Sequence, residues 1–309
     1  MVVRIGVVVA TLVLAGAAVV LWQMLKSGPK PISQAAFEAL YTPPPDAVVP
    51  ARVYHIGHSL VGRDMPAMLA ALGGHGYESQ LGWGAHLRQH WEPDVPVNGF
   101  EAENAHPRYR DAHEAVGSGD YAALVLTEAV EIRDTIKSHA PELYLKNWAT
   151  RAWAANPETR VYFYETWHRL DGDEDWLERL DADLGRYWEG AILRRALAYE
   201  GARRPIYVIP GGQVMAAVVR TAEAGAGIGP IRTRADLFSD AIHFNDYGAY
   251  LMALTHYAVL YGRSPVGLPH DLTRADGTPA QDMGADAARR LQEIVWEVVT
   301  SLPQTGVAG

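Results

Sequence analysis

Five short, nearly continuous apolar runs punctuate the chain: Arg52–Gly57, Tyr77–Gly82, Tyr121–Leu126, Arg160–Glu165 and Pro205–Ile209. Most lack the polar alternation of a half-solvated sheet, which suits parallel strands covered on both faces. Helical stretches separate them. Asp64–Leu72 follows the first run, Pro141–Ala155 the third and Trp176–Tyr199 the fourth. After the last run, Tyr247, Leu251, Leu254, Ala258 and Tyr261 recur at steps of four and three within Asn245–Tyr261, one face of a helix. Ala287, Leu291, Ile294 and Val298 repeat that spacing near the C-terminus. Strand and helix alternating in this way predict a three-layer α/β/α domain around a five-stranded, mostly parallel, doubly wound sheet. The second run, with Glu78, Ser79 and Gln80, is the most polar and is expected at a sheet edge or ending at a site.

The N-terminus is a separate object. Ile5–Trp22 holds 18 residues without a charge, about 27 Å of helix, close to the hydrocarbon thickness of a bilayer. Arg4 precedes it, and Lys26 and Lys30 follow. Residues 1–26 are therefore expected to be a membrane anchor, with a cleaved signal segment at Ala15-Gly16-Ala17 as the competitor. The catalytic domain would then be exported, periplasmic or extracellular. Residues 27–50, carrying Pro29, Pro31 and Pro43-Pro44-Pro45, read as an extended linker with room for a short helix over Ser33–Tyr41, so the folded domain is expected over 51–303.

Composition narrows the chemistry. Asp and Glu number 36 against 27 Lys and Arg, a net charge of −9 with no basic run, which argues against nucleic acid as a partner. There is no cysteine, so disulfides, thiol nucleophiles and Cys-ligated metals are excluded.

Ligands of open parallel sheets lie beyond the carboxyl ends of the strands. That rule points to His58-Ser59, Gly82–Ala85, Thr127-Glu128, Thr166–His168 and Gly211-Gly212. Ser59, in Gly57-His58-Ser59-Leu60, would be exposed between strand and helix, its N–H suited to an oxyanion; the simpler role there is a helix cap. In Asp240-Ala241-Ile242-His243, a carboxylate and an imidazole three residues apart can meet in one loop. A serine nucleophile needs that pair: a neutral imidazole to take its proton and a carboxylate to orient the ring.

Together these segments resemble the SGNH (GDSL-like) hydrolase superfamily, whose nucleophilic Ser follows the first strand and whose base His lies in Asp-x-x-His near the C-terminus. The stretch from Asp240 to Leu268 also looks like that family's ending. Gly82-Trp83-Gly84-Ala85-His86-Leu87-Arg88-Gln89-His90-Trp91 resembles the second block of a branch in which Gly-Gly-small-Ser-Leu precedes a His-Trp pair. The similarity spans residues 51 to 269. It implies Ser59 as nucleophile, His243 as base, Asp240 as its orienting group, and an oxyanion hole from the N–H groups of Ser59 and Gly84. Two positions depart from the pattern: His58 stands where Asp or Asn usually precedes Ser, and Thr127-Glu128-Ala129 lacks the Asn side chain of the third block. A carboxylate at Glu128 would repel an oxyanion.

Other readings fit less well. An α/β-hydrolase elbow needs Gly where Val61 stands. His86 and His90 have the i, i+4 spacing of a metal pair but lack the Glu of a zinc-protease helix. Gly225-Ala226-Gly227-Ile228-Gly229 follows no apolar strand and is expected to be a loop rather than a dinucleotide site. No metal or cofactor is expected. Trp83, Trp91 and Trp167 lie near predicted strand ends, where core packing is the simpler role and flat faces also suit sugar rings. The expected activity is a serine esterase removing acyl, above all acetyl, groups from envelope carbohydrate. The alternatives are an O-acyltransferase using the same triad, or a silent binding or assembly protein on the same fold.

Overall fold

A computed structural model describes residues 28–199 and 204–309; the expected anchor lies outside them. Among the described residues no helix is long and apolar enough to cross a membrane. The five apolar runs form β1 (Arg52–His58), β2 (Gly76–Gly82), β3 (Ala123–Thr127), β4 (Arg160–Glu165) and β5 (Tyr207–Pro210). They make one sheet in the order β2-β1-β3-β4-β5, and every pairing is parallel. All five residues of β3 and all four of β5 are buried, which explains their unbroken apolar sequence.

The helices are α1 (Gln34–Glu38), α2 (Asp64–Gly73), α3 (Leu87–Trp91), α4 (Phe100–Asn104), α5 (Ala112–Ser118), α6 (Ile132–Ser138) and α7 (Pro141–Ala155). Then come α8 (Trp176–Asp183), which runs on through a π-wound stretch (Leu184–Leu193) and a last turn (Arg194–Ala196), α9 (Gly211–Ala224), α10 (Asp246–Tyr261) and α11 (Ala285–Ser301). Helix α10 packs on α2 and α11, while α7 packs on α5, α3 and the continuation of α8, giving a helical layer on each face of the sheet. Helix α10 is buried from Tyr247 to Tyr261, and Asn245 caps it by accepting from the N–H groups of Tyr247 and Gly248.

Strand β2 lies at the sheet edge, and its polar residues have structural work. Glu78 pairs with Arg52, and Gln80 accepts the Ala112 N–H at 2.9 Å while its amide donates to His90 Nδ1 at 3.0 Å. Backbone bonds between Ser79 and residues 108 and 110 cover the outer edge.

Helix α9 is not evident from the hydrophobic pattern, because its N-terminus is Gly-Gly and its cap comes from elsewhere. Glu165, at the end of β4, accepts from the N–H groups of Gly212 (2.7 Å) and Gln213 (3.3 Å). Burial pushes that carboxyl group up to about 8.

The segment expected as a free linker is part of the domain. Phe37 and Tyr41 are buried in the main core, and Tyr41 Oη donates to the Ile206 carbonyl at 2.8 Å. Arg194 and Arg160 bond the carbonyls of Ile32 and Asp46. The prolines stiffen this strap, and two aromatic side chains in a polar stretch suffice to dock it. Phe37→Ala in the full chain should cost roughly 3–5 kcal/mol in denaturant unfolding. A loss below about 1 kcal/mol would show that the strap adds nothing to the core.

Candidate active site

The chain winds outward in opposite directions from β1 and β3, so their carboxyl ends flank the switch point of the sheet. Ser59 stands immediately after β1. The turn closes with Val61 N–H donating to the His58 carbonyl at 2.9 Å. Gly57 is required below it, since a Cβ there would sit 2.5 Å from the Thr127 methyl group.

His58 is wholly buried, and its ring ties the turn to the next strand. The Leu60 N–H donates to Nδ1 at 3.3 Å, which leaves the proton on Nε2 to donate to the Glu128 carbonyl at 2.8 Å. Burial holds this imidazole down to about 4, so it is neutral at physiological pH. His58 thus fastens the turn that carries Ser59 to the end of β3.

The partner loop comes from the far end of the chain. An antiparallel bridge between Phe238 and Phe244 closes it, and Ser239 N–H donates to the His243 carbonyl at 2.8 Å. Inside the loop, Asp240 Oδ1 accepts from the N–H groups of Ile242 (2.8 Å) and His243 (2.7 Å), while Oδ2 lies 2.7 Å from His243 Nδ1. The bonds from the His243 backbone and ring, with that from Ile242, hold the carboxyl group down to about 2, so it stays ionised at any working pH. An anionic acceptor at Nδ1 keeps that nitrogen protonated and makes Nε2 the free base. Nε2 lies 2.9 Å from Ser59 Oγ, within range to accept its proton. Ser59, His243 and Asp240 are therefore brought together in the order hydroxyl, imidazole and carboxylate, the arrangement a nucleophile, its base and an orienting group would need. The His243 and Asp240 side chains are 43% and 54% exposed, so the group opens directly to solvent.

Gly84 follows β2, whose last residue, Gly82, pairs with His58. Ser59 and Gly84 thus leave neighbouring strands at one level. Gly84 has φ +56 with open space around it, a backbone state that favours glycine. Helix α3, just beyond, is tied down on two sides. His90 Nε2 donates to the Gly57 carbonyl at 2.9 Å, and Trp148 Nε1 donates to the Leu87 carbonyl at 3.2 Å. Both ring nitrogens of His90 are engaged and His86 stacks on His139 at 3.9 Å, so the i, i+4 pair is committed to packing.

Of the three tryptophans, Trp83 is the most exposed: it is 55% exposed and donates to Glu103 at 2.8 Å. Trp167 is 2% exposed, and its ring packs on Phe238 and Phe244 while Nε1 donates to the Ile242 carbonyl at 2.8 Å. It braces the Asp240–His243 loop and cannot hold substrate. Trp91 packs edge-on against Trp148, 4.9 Å between ring centres, over a depression whose walls hold none of the triad residues. Both placements have one cause: large aromatics at strand ends fill the space beneath loops as readily as they line a site. A groove of about 990 Å³ starts at Gly62 and runs between α2, the β2 edge, residues 105–108 and residues 273–277, with Glu103 on its wall.

Among solved structures, the chain is similar to a DUF4886 family protein from Bacteroides uniformis, with 16% identity, 80% of this chain and 94% of that chain covered, and a TM-score of 0.48. No protein-family model and no curated protein matches the chain. The site therefore rests on the geometry of this chain.

Trp167→Ala should cost roughly 3–5 kcal/mol in urea unfolding, as for other buried aromatics, whereas Trp83→Ala should cost under about 1 kcal/mol. Equal costs would overturn the division between brace and surface.

Proposed function

We propose that the protein is an SGNH-type serine esterase that removes acyl groups, above all acetyl, from carbohydrate. The observation that carries this reading is the unbroken chain from Asp240 Oδ2 through His243 to Ser59 Oγ, with contacts of 2.7 and 2.9 Å. Ser59 Oγ attacks the ester carbonyl while His243 Nε2 takes its proton. The resulting imidazolium returns that proton to the leaving alcohol as the tetrahedral intermediate collapses to an acyl-enzyme. Water, activated by the same nitrogen, then releases the acid. The N–H groups of Ser59 and Gly84 would hold the oxyanion, with no Asn side chain after β3.

Substrate class follows from how the site is presented. A triad this exposed suits an acyl group displayed on a bulky molecule better than a lipid chain, which needs a deep apolar tunnel. Trp83 offers a flat ring for a pyranose, and the groove whose wall includes Gly62, three residues beyond Ser59, gives an extended chain room. In this reading residues 1–26 anchor the protein to a membrane and the domain works on the exported side, in the cell envelope. The same triad would transfer the acyl group if a sugar hydroxyl reached the acyl-enzyme before water.

The test is turnover of p-nitrophenyl esters of increasing chain length and of an acetylated polysaccharide, using full-length protein. Acetyl esters should turn over fastest, acetate should be released from the polysaccharide, and both Ser59→Ala and His243→Ala should lower the rate by at least about 100-fold. Asp240→Ala should cost less than His243→Ala, because it orients the base rather than taking the proton. Faster turnover of long-chain esters would reject the carbohydrate reading. Absence of Ser59-dependent turnover on every substrate would favour a silent binding protein on the same fold.

A further inference from the structure

Glu128 occupies the place after β3 where the third block of the resembled family carries Asn. It is 1% exposed. One oxygen, Oε1, accepts from the N–H groups of Leu87 (3.2 Å) and Ala129 (2.9 Å). The other, Oε2, is enclosed and has no hydrogen-bond partner among the described residues. Leu87 is the first residue of α3, three residues beyond Gly84, so this carboxyl group joins the end of β3 to the turn that carries the proposed oxyanion donor.

We infer that Glu128 is a positioning residue of the oxyanion turn, that it works as the neutral acid, and that losing its proton switches the site off. This rests on the esterase reading. The donors to Glu128 are the two backbone N–H groups, and among the described residues no cationic side chain forms an ion pair with it. From β1 comes His58, whose ring donates to the Glu128 backbone rather than to its side chain. Helix α3 contributes His86 and His90, and His139 at the end of α6 stacks on His86. Burial lowers all four imidazoles, three of them to about 4, so they are neutral at physiological pH. From α7 the approaching group is Glu142, another acid. Burial pushes the Glu128 carboxyl group up to about 8, only partly offset by its two N–H donors.

Two consequences follow. At neutral pH the carboxyl group carries no charge to oppose an oxyanion, so the departure from Asn leaves the site competent. Above about 8, ionisation puts an unpaired buried charge against the turn holding Gly84, and the transition state suffers more than substrate binding. Folding stability moves the same way. The unfolded chain loses this proton in the ordinary carboxylate range and the folded chain keeps it to about 8, so stability falls as pH rises between those values.

The test compares full-length wild type with Glu128→Gln and Glu128→Ala, reading kcat and KM for p-nitrophenyl acetate from pH 5 to 10 with uncatalysed hydrolysis subtracted. Wild-type kcat should fall by about tenfold per pH unit above pH 8. Glu128→Gln, which keeps the accepting oxygen but cannot ionise, should hold kcat within about threefold at pH 7 and lose that fall. Glu128→Ala should lower kcat by about 10- to 100-fold with KM nearly unchanged. An identical alkaline fall in Glu128→Gln, or full kcat in Glu128→Ala, would overturn the inference. A second readout needs no activity: melting temperature should decline from pH 5 to 9 more steeply in wild type than in Glu128→Gln. Parallel declines would refute the neutral acid. Wild-type turnover no faster than that of Ser59→Ala would instead refute the esterase reading, and the melting comparison would still decide the state of Glu128.

Discussion

The hydrogen bond between His243 Nε2 and Ser59 Oγ joins residues 184 positions apart, and the site exists only if that span closes to 2.9 Å. Neither side chain can arrange this alone. On one side, a fully parallel sheet delivers Ser59 at the carboxyl end of β1, where neighbouring strands have just turned away and left open space. On the other, α10 is buried from Tyr247 to Tyr261, so the loop preceding it has little freedom to move. Asp240 then sets the loop and the ring together. One of its oxygens takes two backbone N–H groups and the other takes the imidazole, so a single carboxylate fixes both where His243 lies and which nitrogen is the base.

Charge at this end of the sheet is distributed with the same economy. The groups that fasten the nucleophile turn and α3 from beneath, His58, His90 and Glu128, are all buried in environments that favour their neutral forms. The ionised group of the triad, Asp240, sits at the surface where hydration limits the cost of its charge. A site arranged this way can hold its loops rigidly without a buried charge close to a developing oxyanion.

Strands, principal helices and the Asp240–His243 pair were legible in the sequence because each is written locally, whereas the pairing of Ser59 with them came from the resemblance. Apolar runs mark the strands, a steady 3.6-residue period marks α10 and α11, and Asp-x-x-His places two partners in one loop. What was not legible depends on partners distant in sequence. Helix α9 owes its start to Glu165 on β4, which no local cap signals. The strap from residue 28 to 50 looks like a linker because prolines dominate it, and only the core shows that Phe37 and Tyr41 have places to go. Trp167 and Trp91 could not be told from ligand platforms, since aromatic type and strand-end position are the same in both roles. Glu128 reads as a misplaced charge until its burial is known, after which it reads as a neutral acid.

An activated Ser59 would react covalently with an electrophile that an ordinary surface serine ignores. Full-length protein treated with a fluorophosphonate and mapped by peptide mass spectrometry should carry one adduct, on Ser59, and His243→Ala should suppress it by at least about 100-fold. No adduct on Ser59, or equal labelling when His243 is replaced, would contradict the account.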